Sequence, residues 1–182
     1  MINENIKQIA LDEMISLVPL CSHYNPKKVV VVGKPSENIV NILKSQKVDT
    51  FYCEDITKCE INDVDVVINL DSKIDSFYMA HLNKVLNSTG IIATISENFD
   101  DNEAKLKADL LLLGESFWIA MPYSFCGMTA ICASKKYHPV SDVILQRSDL
   151  LDGMKYYNSD FHKCSFTYPT YIHKGLTNFA RR

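Results

Sequence analysis

The chain has 182 residues, room for one ordinary domain, and its 47% hydrophobic and 23% charged content is that of a soluble globular protein. A net charge of −3 argues against a general nucleic-acid binder, which carries a basic field. No apolar run approaches the roughly 20 residues that span a bilayer, and Met1–Glu13 lacks a signal-peptide core, so no membrane role and a cytosolic location are expected.

Residues 4–20 predict a helix with Ile6, Ile9, Ala10, Met14, Leu17 and Val18 on one face. Val29–Val32 is a continuous β-branched run, suited to a strand buried on both faces. Gly33 follows at once, and Ser36 can cap a helix over 37–45. A second strand spans 49–53 and ends in Glu54-Asp55; a third spans 64–70. Residues 76–87 predict a helix that Gly90 breaks, and 91–95 a fourth strand. Residues 102–113 predict a helix that Gly114 stops. Two further strands, 117–121 and 129–134, are expected around a loop of about seven residues that carries Tyr123, and a helix at 141–151 follows.

Strands alternating with helices imply an α/β fold: a mostly parallel sheet flanked by helices, with a final antiparallel pair. This is the Rossmann-like, methyltransferase-type arrangement, in which ligands sit beyond the carboxyl ends of the strands. The residues to inspect are Gly33, Glu54, 70–75, Glu97 and the segment around Tyr123. Gly33 lets the backbone approach a nucleoside, and a carboxylate at Glu54 can accept both ribose hydroxyls. The six cysteines lack metal-ligand spacing, and no metal site is expected; they read as reduced, mostly buried thiols.

One segment fits neither helix nor strand periodicity, and a second, near the other end, accompanies it. The first runs Lys155-Tyr156-Tyr157-Asn158-Ser159-Asp160-Phe161-His162-Lys163; the second is Glu13-Met14, then Pro19-Leu20-Cys21-Ser22-His23 and Asn25-Pro26-Lys27-Lys28-Val29. Both resemble signatures of the spermidine synthase family, the polyamine aminopropyltransferases, and they occur in the family's order. The resemblance implies transfer of an aminopropyl group from decarboxylated S-adenosylmethionine, as co-substrate, to putrescine or a similar diamine by direct displacement, without a cofactor. It implies Gly33, Glu54 (in Cys53-Glu54) and Glu97 on the nucleoside side. Asp71 and Asp75 would bind and help deprotonate the amine, and Tyr123, in Met121-Pro122-Tyr123-Ser124, would orient it. A polyamine nitrogen is cationic at neutral pH, so a carboxylate must bind it and help strip a proton before attack. The terminal block, His162 included, would pack over the core, and a homodimer is implied.

The chain also departs from the family pattern. The loop Gly33-Lys34-Pro35-Ser36-Glu37-Asn38 keeps one glycine of a glycine-rich run, and Lys73 lies between the two acids. A helix and strand expected after Glu54 are missing, and the sequence is read as a single domain, 1–182, without the family's amino-terminal β domain. These departures keep open an alternative, a catalytically degenerate member acting as a binding or regulatory partner. A methyltransferase using S-adenosylmethionine itself shares the sheet but not the carboxy-terminal block.

Overall fold

The structure is a computed structural model, and it describes residues 4–71 and 73–182. Its centre is a six-stranded sheet in the order β2-β1-β3-β4-β6-β5. The strands are β1 Lys28–Val32, β2 Asp49–Cys53, β3 Val64–Asn69, β4 Leu86–Ser96, β5 Ile119–Phe125 and β6 Met128–Ser134. The first four are mutually parallel; β6 runs antiparallel to β4, and β5 antiparallel to β6. This is the α/β arrangement expected, antiparallel pair included.

Period-two alternation along the strands divides the core into two layers. Val29, Val31, Val66, Ile68, Ile91 and Ala93 face helices α1 (Glu4–Ser22) and α2 (Glu37–Ser45). Val30, Val32, Val67 and Ile92 face α3 (Ser76–Val85) and α4 (Phe99–Gly114). Both faces are covered, which is why β1 and β3 are nearly all aliphatic. The helix α2 starts where expected, because the Ser36 hydroxyl accepts from the Ile39 N–H at 3.1 Å.

Four expectations are corrected. First, α1 is not amphipathic with a single face: Asp12, Glu13, Ser16 and Ser22 are buried, whereas Ile6 is exposed. The helix lies between the sheet and a returning carboxy-terminal segment. Ile144 N–H donates to Cys21 O, Arg147 donates to Leu20 O and His23 O, and Tyr123 Oη donates to Met14 O. Second, α3 ends at Val85 and β4 begins at Leu86, so Gly90 lies inside a strand. Third, Tyr123 lies within β5: the loop shrinks to Cys126-Gly127, with Phe125 opposite Met128. Both turn residues have positive φ, 49° and 74°, as a two-residue hairpin requires. Pro122 fits inside β5 because β5 is an edge strand, where a missing N–H is tolerated. Fourth, the helix after β6 is only α5, Leu145–Ser148. Two short helices, α6 (Ser159–Cys164) and α7 (Thr170–Gly175), complete the chain.

Candidate active site

The carboxyl ends of β1, β2 and β3 open into a cavity of about 200 Å³. Glu54, Asp55 and Thr57 line one side, Asp71, Lys73 and Asp75 another, and the buried Val32 and Tyr78 form the floor, with the exposed Phe77 ring completing the lining. Parallel strand order explains the meeting: β1 lies between β2 and β3, so the loops after β2 and β3 flank the end of β1. Three of the residues expected at the site, Glu54, Asp71 and Asp75, therefore share one cavity although they come from separate loops.

Each acid also has a local task. Asp75 caps α3, accepting from Tyr78 N–H at 2.8 Å. Asp71 accepts from Lys73 N–H at 3.1 Å, and its own N–H and carbonyl are held by the Asn69 side chain. Asn69 is buried and also donates to Thr94 Oγ1 on β4 at 2.9 Å, so the loop is tied to the next strand. Glu54 is almost fully exposed, with Lys58 at 3.8 Å. Asp55 caps a single 3-10 turn at Ile56–Lys58 through Thr57 N–H, and that bond holds its carboxyl below the usual range. Lys73 supplies a cation among these carboxylates, with Lys58 beside Glu54.

Gly33 sits at the end of β1 with φ of 95° and donates to Cys53 O at 2.9 Å. A Cβ there would lie 3.3 Å from Leu70 Cβ, so the tight passage between the β1 and β3 loops requires glycine. It borders the cavity without lining it. Glu97 is exposed at the end of β4 and lines neither this cavity nor a second one, of about 300 Å³, between α4 and the β5–β6 hairpin. Asn98 lines that second cavity, bonding Asp101, Gly127 O and Thr129; sequence reading passed over it because an isolated Asn after a strand carries no signal. Tyr123 is fully buried against Phe125 and Phe166, away from both cavities. Burial raises its phenol well above the ordinary value.

Sequence reading also missed the floor. Tyr78 is buried, and among the described residues its hydroxyl has no hydrogen-bond partner. Burial, and then nearby thiol and carboxylate charge, raise its pKa. Behind the Glu54 wall, Cys53 is pushed up to about 12 by burial and by the neighbouring Cys59 thiol. The six cysteines are free thiols, but only Cys21 and Cys132 are buried; Cys53, Cys59 and Cys126 are half-buried and Cys164 is exposed.

The terminal block has a clear structural role. The buried Glu13 carboxylate accepts the backbone N–H groups of Lys155, Tyr156 and Tyr157 at 3.0, 2.8 and 2.8 Å. His162 Nε2 donates to Pro139 O at 2.8 Å, so Nδ1 accepts from Tyr157 Oη at 2.7 Å. Burial lowers its pKa to about 4, which keeps the ring neutral. Asn158 caps α6 by accepting from Phe161 N–H. These bonds account for Glu13, Tyr157, Asn158 and His162 in the two segments.

No family profile matches the chain. Curated proteins do: polyamine aminopropyltransferase of Helicobacter acinonychis is 27% identical over 122 residues, covering 64% of this chain and 46% of that protein. The protein of that name from Caldicellulosiruptor bescii is 26% identical over 212 residues, covering 88% and 75%. The chain spans about half the length of the Helicobacter relatives it matches. In fold, spermidine synthase from Thermotoga maritima superposes with a TM-score of 0.75 at 19% identity, covering 93% of this chain and 75% of that one. A spermidine synthase in complex with the transition-state analogue AdoDATO gives the same TM-score and identity. Among the described residues no helix is long and apolar enough to cross a membrane. Sequence likeness to polyamine aminopropyltransferases and fold likeness to spermidine synthases together make this chain a divergent, spermidine synthase-like protein.

Proposed function

We propose that this protein transfers an aminopropyl group from decarboxylated S-adenosylmethionine to putrescine or a similar diamine. The observation that carries the reading is the convergence of Glu54, Asp71 and Asp75 on one cavity at the carboxyl ends of β1, β2 and β3. Glu54 accepts the ribose hydroxyls, and the Gly33 turn leaves the backbone open beside it. The amine nitrogen attacks the aminopropyl carbon bonded to sulfur. The carbon–sulfur bond breaks, 5′-methylthioadenosine leaves, and the proton released from nitrogen passes to Asp71. Asp75, its Oδ1 committed to α3, adds negative charge for the far ammonium. Tyr123 is given no contact with substrate in this reading, because its ring is sealed in the core. Glu97, exposed beyond the cavity wall, is assigned at most an outer contact with the nucleoside.

A second reading is favoured by one observation: Lys73 stands in the cavity between the acids and repels a dication. In that reading the cleft still binds ligand, but the protein acts as a binding or regulatory partner. Isothermal titration with 5′-methylthioadenosine and with decarboxylated S-adenosylmethionine, each with and without putrescine, separates the two. Micromolar binding together with release of 5′-methylthioadenosine supports transfer. Binding without turnover supports the second reading, and no binding to folded protein overturns both.

A further inference from the structure

The two edges of the sheet are treated differently. On β5 the N–H positions that face outward are 120, 122 and 124. Ala120 exchanges both backbone bonds with Arg181, at 3.0 and 2.9 Å, and Ser124 N–H donates to Ser165 O at 2.9 Å. Residue 122 is proline and has no N–H. The chain therefore closes that edge by strand pairing, a loop contact and proline, all recognised ways of blocking edge-to-edge association.

The β2 edge has none of these. Asp49 N–H donates to Lys27 O, and Cys53 O accepts from Gly33 N–H, so 49, 51 and 53 turn their backbone groups towards β1. Alternation then turns those of Thr50 and Tyr52 outward. Among the described residues no backbone group pairs with them from outside. The strand carries no proline and no charge over 50–53, and Phe51 and Tyr52 are 36% and 48% exposed.

We propose that the β2 edge is a self-association surface, on which a second copy of this chain adds its own β2 in antiparallel register centred on Phe51. In that register Thr50 faces Tyr52 of the second copy, and each such pair exchanges both backbone bonds. Phe51 meets Phe51 of the second copy as a non-hydrogen-bonded pair, an aromatic contact across the two-fold axis. Of the flanking charges, Lys47 precedes the strand and Asp55 follows it, and the register sets Lys47 opposite Asp55 of the second copy, while Asp49 lies opposite the uncharged Cys53. Lys47 of one copy thereby approaches the cavity rim of the other. The occupant is a second copy because this register satisfies backbone, aromatic and charge pairing with one sequence. The proposal does not depend on the transferase reading.

Two five-residue strands bury less than the ~1,600 Å² of a standard interface, so weak, micromolar association is expected. Sedimentation equilibrium up to about 100 µM is the first test. The mass is expected to rise from 20.7 kDa towards twice that value. Tyr52→Pro removes an outward N–H without touching the β1 ladder and should hold the protein monomeric. Phe51→Cys should cross-link into a covalent dimer under mild oxidation, beyond any seen with the native cysteines. A mass that stays at one chain overturns the proposal. So does a dimer that survives Tyr52→Pro, or a Phe51→Cys protein that cross-links no more than native.

Discussion

At the scale of single residues, the buried carboxylate of Glu13 joins α1 to a segment more than a hundred positions later by accepting three successive N–H groups. Hydrogen bonds to a charged acceptor contribute more than neutral ones, and unpaired buried N–H groups are costly. Glu13→Ala should therefore lower stability by on the order of 3 kcal/mol in urea denaturation. A loss below ~1 kcal/mol would mean that water replaces the carboxylate. In the cleft, Asp71→Asn removes the group proposed to take the amine proton, and should lower turnover about 100-fold or more. An unchanged rate would remove Asp71 from that role. Lys73→Ser should tighten putrescine binding, measured by titration, because it removes a like charge from the cavity. The Lys155–Lys163 segment stood out in the sequence because it fits no secondary-structure period, and the Glu13-Met14 segment because it resembles the family's signature at the other end. Their partners could not be read there, since a bond between Glu13 and Tyr157 depends on how the chain returns over α1.

At the scale of elements, local pattern was informative where one face or both faces were buried. The aliphatic runs of β1 and β3 and the Ser36 cap of α2 were legible for that reason. Pattern failed where glycine and proline have two uses. Gly90 was read as a helix stop but sits in β4, and the strand read over 117–121 stops short of Pro122, which lies inside the edge strand β5. The β5–β6 hairpin turns on Cys126-Gly127, whose positive φ values suit Asn-Gly better than Cys-Gly. Cys126→Asn should therefore raise stability by roughly 0.5 kcal/mol, seen as a higher denaturation midpoint. A fall would show that the Cys126 side chain, which packs against the α1-side core, outweighs turn preference.

At the scale of the whole molecule, stability should depend on pH through His162, which is locked between Tyr157 and Pro139. Its folded pKa of about 4 lies below the ordinary value of 6.5, so the unfolded chain binds the extra proton between those limits. Its contribution is fully present above pH 6.5 and is lost as pH falls towards 4. The slope from this group approaches about 1.4 kcal/mol per pH unit within that window. Burial lowers the pKa of His23 as well, so it acts in the same direction. Denaturation midpoints measured across this range should fall, and His162→Gln should flatten the slope while lowering stability at neutral pH. A wild-type profile that is level in that window would contradict the buried neutral ring.

By itself, the sequence determined the fold class, the strand-and-helix order and the candidate loops after each parallel strand. These depend on burial periodicity and on caps, which are local. It also indicated that Glu54, Asp71 and Asp75 belong together, because a parallel sheet gathers its carboxyl ends on one side. Only the tertiary structure decided which candidates reach the cavity. Tyr123 falls inside β5 because a two-residue turn sets the hairpin register, and that register aims its ring into the core. The same three-dimensional pairing closes the β5 edge with distant residues Ser165 and Arg181 and leaves the β2 edge open. Which edge is covered depends on contacts between residues far apart in the chain, and no local pattern carries that information.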